Sequence, residues 1–210
     1  VIGIVATMKL MPDISTHWIS LLSFLGVFLL FCMSIAGCLY RDATMDPVAE
    51  GISNRQFELV QDSILYQTVC VPISKFLTGS SYCDTVQHLG DEPCFAPNAA
   101  DYYQHQSFWD EKLRKCAHDG DGAAKQKVLV YGLVTHGTSI KITEVASVQL
   151  GETGRCWFVA GQLEDGQYAG RRVLLPSCNH IGVSWLRQAA ASRMPEIKSE
   201  FLRAKDQGAE

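Results

Sequence analysis

The chain has 210 residues, 47% of them hydrophobic and 10% aromatic, which excludes a disordered polymer and is enough to build one ordinary core. Its formal net charge is −4, from 18 basic and 22 acidic residues, so no cationic excess draws it to nucleic acid. Only 19% of residues are charged, a low value that includes an apolar leader.

In chain order, Val1 to Thr7 carries no motif, and Met8 followed by Lys9 reads as a natural start with a short basic segment. Trp18 to Ala36 is uncharged and apolar or small throughout. That suits the hydrophobic region of an export signal, and it also approaches the ~20 residues that span a bilayer. The stretch closes on Ile35-Ala36-Gly37-Cys38. These four residues resemble the lipobox of bacterial lipoproteins, where small residues let a peptidase grip extended backbone ahead of a cysteine. The resemblance implies cleavage before Cys38, lipidation of its thiol, and a membrane anchor made by the lipid. Leu39 stands where lipoproteins retained in the inner membrane tend to have Asp, which implies the outer membrane, facing the periplasm.

Residues 1–37 are therefore read as signal peptide and 38–53 as a tether, mixed in character with Asp46-Pro47 and Gly51. One domain is expected over 54–183, followed by a tail over 184–210. Phe57 to Tyr66 reads as one strand kinked at Gln61-Asp62. Residues 70–126 read as a long irregular insertion held by cysteines, with a helix over Ala99–Cys116 and a turn at Asp119 to Gly122. Lys127 to Cys178 holds four β-rich runs, KVLVYGLV, SIKITEV, RCWFVAGQL and RRVLLP, separated by glycine-containing turns. Beyond Ser184, Trp185, Leu186 and Ala189, then Pro195, Ile197 and Phe201, predict one or two short helices, with fraying from Lys205.

Gly132 to Ile142, a short strand, a glycine turn and an alternating strand, is similar to the strand-turn-strand of bacterial SH3-like domains. Cys156-Trp157-Phe158-Val159, with Asp165-Gly166 and Tyr168 to Val173, resembles their next hairpin. The resemblance implies a mainly β (α+β) fold, a small SH3-like barrel carrying a long disulfide-rich insertion and C-terminal helices. The insertion departs from the family pattern and stands over the place of the family's groove.

Of eight cysteines, Cys32 lies in the leader and Cys38 takes the lipid. The remaining six, Cys70, Cys83, Cys94, Cys116, Cys156 and Cys178, favour three disulfides in an oxidising compartment. Cys156 and Cys178 can pair directly only if their hairpin centres near Gln167, with a broad loop from Glu164 to Gly170. A tight turn at Asp165-Gly166 would offset them by three residues, about 10 Å along a strand. The other four cysteines would then pair among themselves in an order left open.

No cysteine pair has zinc-finger spacing, and Asp119-Gly120-Asp121-Gly122 lacks the later ligands of a calcium loop, so no metal or cofactor is expected. Nucleophile elbow, zinc helix and phosphate loop are all missing from the sequence. Tyr102, Tyr103, Phe108 and Trp109, interleaved with His105, form the best recognition cluster, since aromatic side chains give large contact area at modest entropy cost. The plainer reading makes Tyr103 and Trp109 anchors of the insertion. Trp157 carries the same choice between binding and core.

The expected function is non-catalytic binding at the cell envelope, to a protein or a cell-wall component, with no enzyme activity and no nucleic-acid partner. One alternative is a secreted hydrolase or hydrolase inhibitor using His105, His118 and nearby acids. Another keeps the leader uncleaved as the transmembrane anchor of a membrane assembly.

Overall fold

The computed structural model describes residues 40–69, 82–91, 93–119, 128–149, 155–177, 182–187 and 194–205. The lipobox, Cys70 and Cys178 lie outside that set. Contacts divide the chain into 1–39 and 40–210, and every described residue belongs to the second unit.

The described residues are mainly β. Strands β1 (Tyr40–Asp42), β2 (Gln56–Leu59), β3 (Ser63–Val69) and β4 (Tyr82–His88) precede helices α1 (Ala99–Gln104) and α2 (Gln106–Asp119). Strands β5 (Leu129–Val134), β6 (Ser139–Gln149), β7 (Arg155–Leu163), β8 (Arg172–Leu174) and β9 (Leu202–Ala204) complete one sheet. Its order is β5-β3-β4-β8-β7-β6-β2-β9, with β1 added beside β2 on β6. All pairings are antiparallel except β4 with β8, joined at Thr85 and Leu174. Among the described strands no pairing joins β5 to β9, so the sheet is open.

The four β-rich runs appear as β5 to β8. Period-two alternation explains them: Ile140, Ile142 and Val145 on β6 and Trp157, Val159 and Leu163 on β7 turn to one core, while Cys156, Phe158 and Ala160 face a second. The shift from even to odd positions on β6 follows from a register irregularity between Ile142 and Glu144. A third cluster holds Ile64, Tyr66 and Leu133 of the sheet against Phe95, Tyr102 and Leu113 of the helical segment.

Several expectations need correction. Residues 40–53 are not a tether: β1 pairs with β6, and Ala43, Ala49 and Ile52 are buried in the main core. Their turns are fixed locally, by the Asp46 side chain capping a 3-10 turn at Pro47 and the Ser53 hydroxyl donating to Thr44 O. The run from Phe57 to Tyr66 is two strands, because Asp62 leaves the ladder and accepts the His136 backbone N–H at 2.9 Å.

Within residues 70–126, β4 is an interior strand of the sheet. The expected helix over Ala99–Cys116 is broken at His105, whose backbone is non-helical, and it continues to Asp119. Gly120 to Gly122 lie outside the described residues. Among the described residues of the C-terminal segment there is no helix, only bends, a turn and short strand pairings, and residues 188–193 lie outside the described set. Leu186 bridges Ile197, β9 pairs with β2, and Trp185, Leu186, Phe201 and Leu202 are buried. Lys205 donates its N–H to Gln56 O at 3.0 Å, so order extends to that residue.

The β7–β8 register places Ala160 opposite Leu174 and Gln162 opposite Arg172, which centres the connection on Gln167. Leu163 N–H donates to Arg171 O at 2.9 Å and Gly170 N–H to Leu163 O at 2.7 Å, giving the broad loop that a Cys156–Cys178 bond requires. Cys156 is disulfide-bonded, as is Cys83. Cys94 and Cys116 are bonded to each other, tying α2 to the segment that follows β4.

Candidate functional site

Helices α1 and α2 separate the predicted aromatic cluster into anchors and exposed faces. Asn98 caps α1 by accepting the Asp101 N–H at 2.9 Å, which sets the helix so that Tyr102 turns inward. Tyr102 is buried and donates to Asp110 Oδ1 at 3.0 Å; burial first, and then that carboxylate, push its phenol upward. Trp109 packs against the same cluster and donates its Nε1–H to Asp101 Oδ2 at 2.6 Å. These two residues are anchors. Tyr103 and Phe108 instead remain 65% and 59% exposed, which leaves their rings available to solvent. Lys112 lies 4.9 Å over the Trp109 ring and 5.7 Å over that of Phe108, adding a cation to this patch.

His105 sits 3.3 Å from Asp101 at the helix break, and both side chains are partly exposed. His118 lies in the last turn of α2, and its side chain lies outside the described residues. Trp157 is 1% exposed and belongs to the main core, which removes it from the recognition surface.

The polar cluster best organised for binding was not read from the sequence. Asp84 on β4 accepts from Gln67 Nε2 at 3.0 Å, from the Tyr131 hydroxyl at 3.3 Å and from Arg171 at 2.8 Å. The Arg171 guanidinium also stacks 4.0 Å over the Tyr131 ring. Burial works against its charge, but the Tyr131 hydroxyl and Asp84 outweigh burial and hold it a firm cation. Tyr168 of the β7–β8 loop donates to Tyr131 O at 2.9 Å. Its phenol is pushed up by burial and by neighbouring Tyr103, against the pull of Arg171, so the cluster borders the exposed face of α1.

Two backbone features admit this packing. Gly132 has φ +141°, and a Cβ there would stand 2.7 Å from the Tyr168 hydroxyl, so only glycine leaves room for that ring. Beside Asp84, near the β4–β8 pairing of Thr85 with Leu174, a slot of about 160 Å³ is lined by Gln67, Tyr82, Cys83, Arg172 and Leu174 among others. Arg172 forms an ion pair with Glu144. The slot has the size of a side chain or a small substituent rather than of a whole cofactor.

Chemically, the arrangement supplies aromatic faces, one held guanidinium and a small slot. Asp84 accepts from three donors, two on Oδ1 and one on Oδ2, so it serves as the hub that orients Arg171 and Tyr131. Among the described residues no three His, Cys, Asp or Glu side chains converge as a metal site would need. A signal for this cluster did exist in the sequence, in the paired arginines Arg171-Arg172 and in Tyr131-Gly132, but residues from β3, β4, β5 and β8 meet only through the sheet order.

Comparison with protein-family models, curated proteins and solved structures finds no match for this chain. No helix among the described residues is long and apolar enough to cross a membrane.

Proposed function

We propose that the chain is a lipid-anchored protein of the bacterial envelope whose domain binds, without catalysis, to the cell wall or to another envelope protein. The lipobox residues Ile35 to Cys38 supply the anchor, Leu39 favours the outer membrane, and the bonded cysteines Cys83, Cys94, Cys116 and Cys156 fit an oxidising compartment. The domain is an SH3-like barrel, opened between β5 and β9 and elaborated by β4 with the two helices.

The observation that carries the reading is the Asp84–Arg171–Tyr131–Tyr168 cluster, whose polar groups are fixed by one another beside exposed Tyr103. Such a surface is preorganised for stacking on a sugar ring or a peptide, because its arginine and tyrosines lose little further freedom on binding.

The test is cosedimentation of the mature protein with purified peptidoglycan sacculi, together with photo-crosslinking in cells from position 103. Arg171→Ala and Tyr103→Ala should each weaken retention about tenfold, the loss of one stacked or charged contact, with unchanged far-ultraviolet circular dichroism. Release of soluble wall fragments that disappears in His105→Ala would instead establish the hydrolase alternative.

A further inference from the structure

We infer that the domain is held flush against the bilayer, with the Tyr103–Arg171 surface turned away from it toward the compartment beyond. The inference rests on the lipid-anchor reading of Cys38 and adds an orientation to it. Only Leu39 lies between Cys38 and the first residue of β1. Two peptide steps reach at most about 7 Å, so a lipid on Cys38 leaves the domain no longer a leash than that.

The direction follows from the register. Tyr40 lies opposite Val148 on β6, and Val148 lies opposite Cys156 on β7, so the chain enters at the end where β7 begins. From there β1 runs inward, antiparallel to β6, and is secured by the Ala43 N–H donating to Val145 O at 2.8 Å. Ala43 and Ala49 are wholly buried, so the entry segment is core and cannot peel away as a leash without opening the main cluster. The candidate surface lies at the other end of the same strand: Leu163, which closes β7, donates its N–H to Arg171 O at 2.9 Å. Seven residue steps along β7 separate Cys156 from Leu163, about 23 Å. The lipid surface therefore meets the Tyr40–Arg155 end, and the partner of the other end is a component standing off the membrane.

The experiment uses the full lipidated protein in phosphatidylethanolamine vesicles in which some head groups carry a photoactivated carbene source. After irradiation and digestion, adducts should concentrate on peptides containing Tyr40 or Arg155 and be several-fold fewer on the peptide from Gln162 to Arg171. Inserting a flexible Gly-Ser linker of roughly 20 residues between Leu39 and Tyr40 should even out the labelling. Equal labelling of the two ends without the linker, or preference for Gln162 to Arg171, overturns the orientation while the anchor stands. A preparation whose intact mass shows no acyl group on Cys38 overturns the anchor reading and the orientation with it.

Discussion

Trp157→Ala should cost about 3 to 5 kcal/mol of stability, lowering Tm by roughly 10 °C, because truncating a buried indole removes its transfer energy and leaves a cavity. Trp157 is 1% exposed and packs among Ile140, Ile142, Val159 and Leu163, residues of two adjacent strands that cannot collapse into the gap without bending the sheet. Thermal unfolding followed by circular dichroism checks it. Tyr103→Ala and Phe108→Ala, at side chains 65% and 59% exposed, should by contrast stay within about 0.5 kcal/mol of the parent protein. The pattern distinguishes structural from recognition aromatics: a Trp157 variant loses binding only as it unfolds, and a Tyr103 variant loses it while folded. A small loss of stability in Trp157→Ala would contradict the placement of this indole at the centre of the main core.

Acidification should destabilise the domain between pH 6.5 and about 4 through His88. Its ring is 0% exposed, with centroids 4.7 Å from Trp185 and 5.2 Å from Phe201. Burial lowers its pKa from the ordinary 6.5 to about 4, and the Phe201 backbone only partly offsets this. In that window the unfolded chain binds a proton that the folded chain refuses, so stability is complete above the unfolded value and declines as pH falls toward the folded one. The loss approaches about 3 kcal/mol at pH 4. Urea unfolding at a series of pH values checks this, and His88→Leu should flatten the dependence across the same window. Asp62 contributes elsewhere. Burial raises its carboxyl, the His136 backbone and ring outweigh burial and lower it, and the stability it brings is lost only as pH falls below the ordinary carboxylate value of 3.8. A His88→Leu protein as acid-sensitive as the parent above pH 4 would show that another group controls the transition.

The four β-rich runs were legible because each combines β-branched or aromatic residues with turn glycines, and alternation alone assigned their faces. Strand β4 was not. Its sequence YCDTVQH buries Thr85, Gln87 and His88 as well as Val86, so polar residues occupy positions that the alternation rule reserves for apolar ones. Gln87 is accommodated by donating to Asp91 at 2.7 Å and to Val183 O at 3.2 Å, contacts that the local sequence does not reveal. The C-terminal segment misled for the opposite reason. Trp185, Leu186, Ile197 and Phe201 have helical spacing, yet none of them lies in a helix: Leu186 and Ile197 form a bridge, and Trp185 and Phe201 stack at 5.5 Å around His88.

The candidate surface was half legible. Four aromatics around His105 fall on α1 and α2, but spacing could not tell which rings face inward. That choice is made by Asp110 and Asp101, which take the polar ends of Tyr102 and Trp109 and leave Tyr103 and Phe108 to solvent. The second half, Asp84 with Tyr131, Tyr168 and Arg171, depends on strand order. Residues 47 and 87 positions away from Asp84 in sequence reach its carboxylate because β5, β3, β4 and β8 are neighbours in that order.

The proposed localisation and orientation both rest on the proposed lipid anchor at Cys38, and intact mass spectrometry of protein extracted from a bacterial membrane, before and after reduction, tests it most directly. The expected species is a chain beginning at Cys38, carrying acyl mass, and gaining about six protons on reduction as three disulfides open. An uncut chain beginning upstream of Cys38 without acyl mass would contradict it, and would favour a transmembrane anchor in its place.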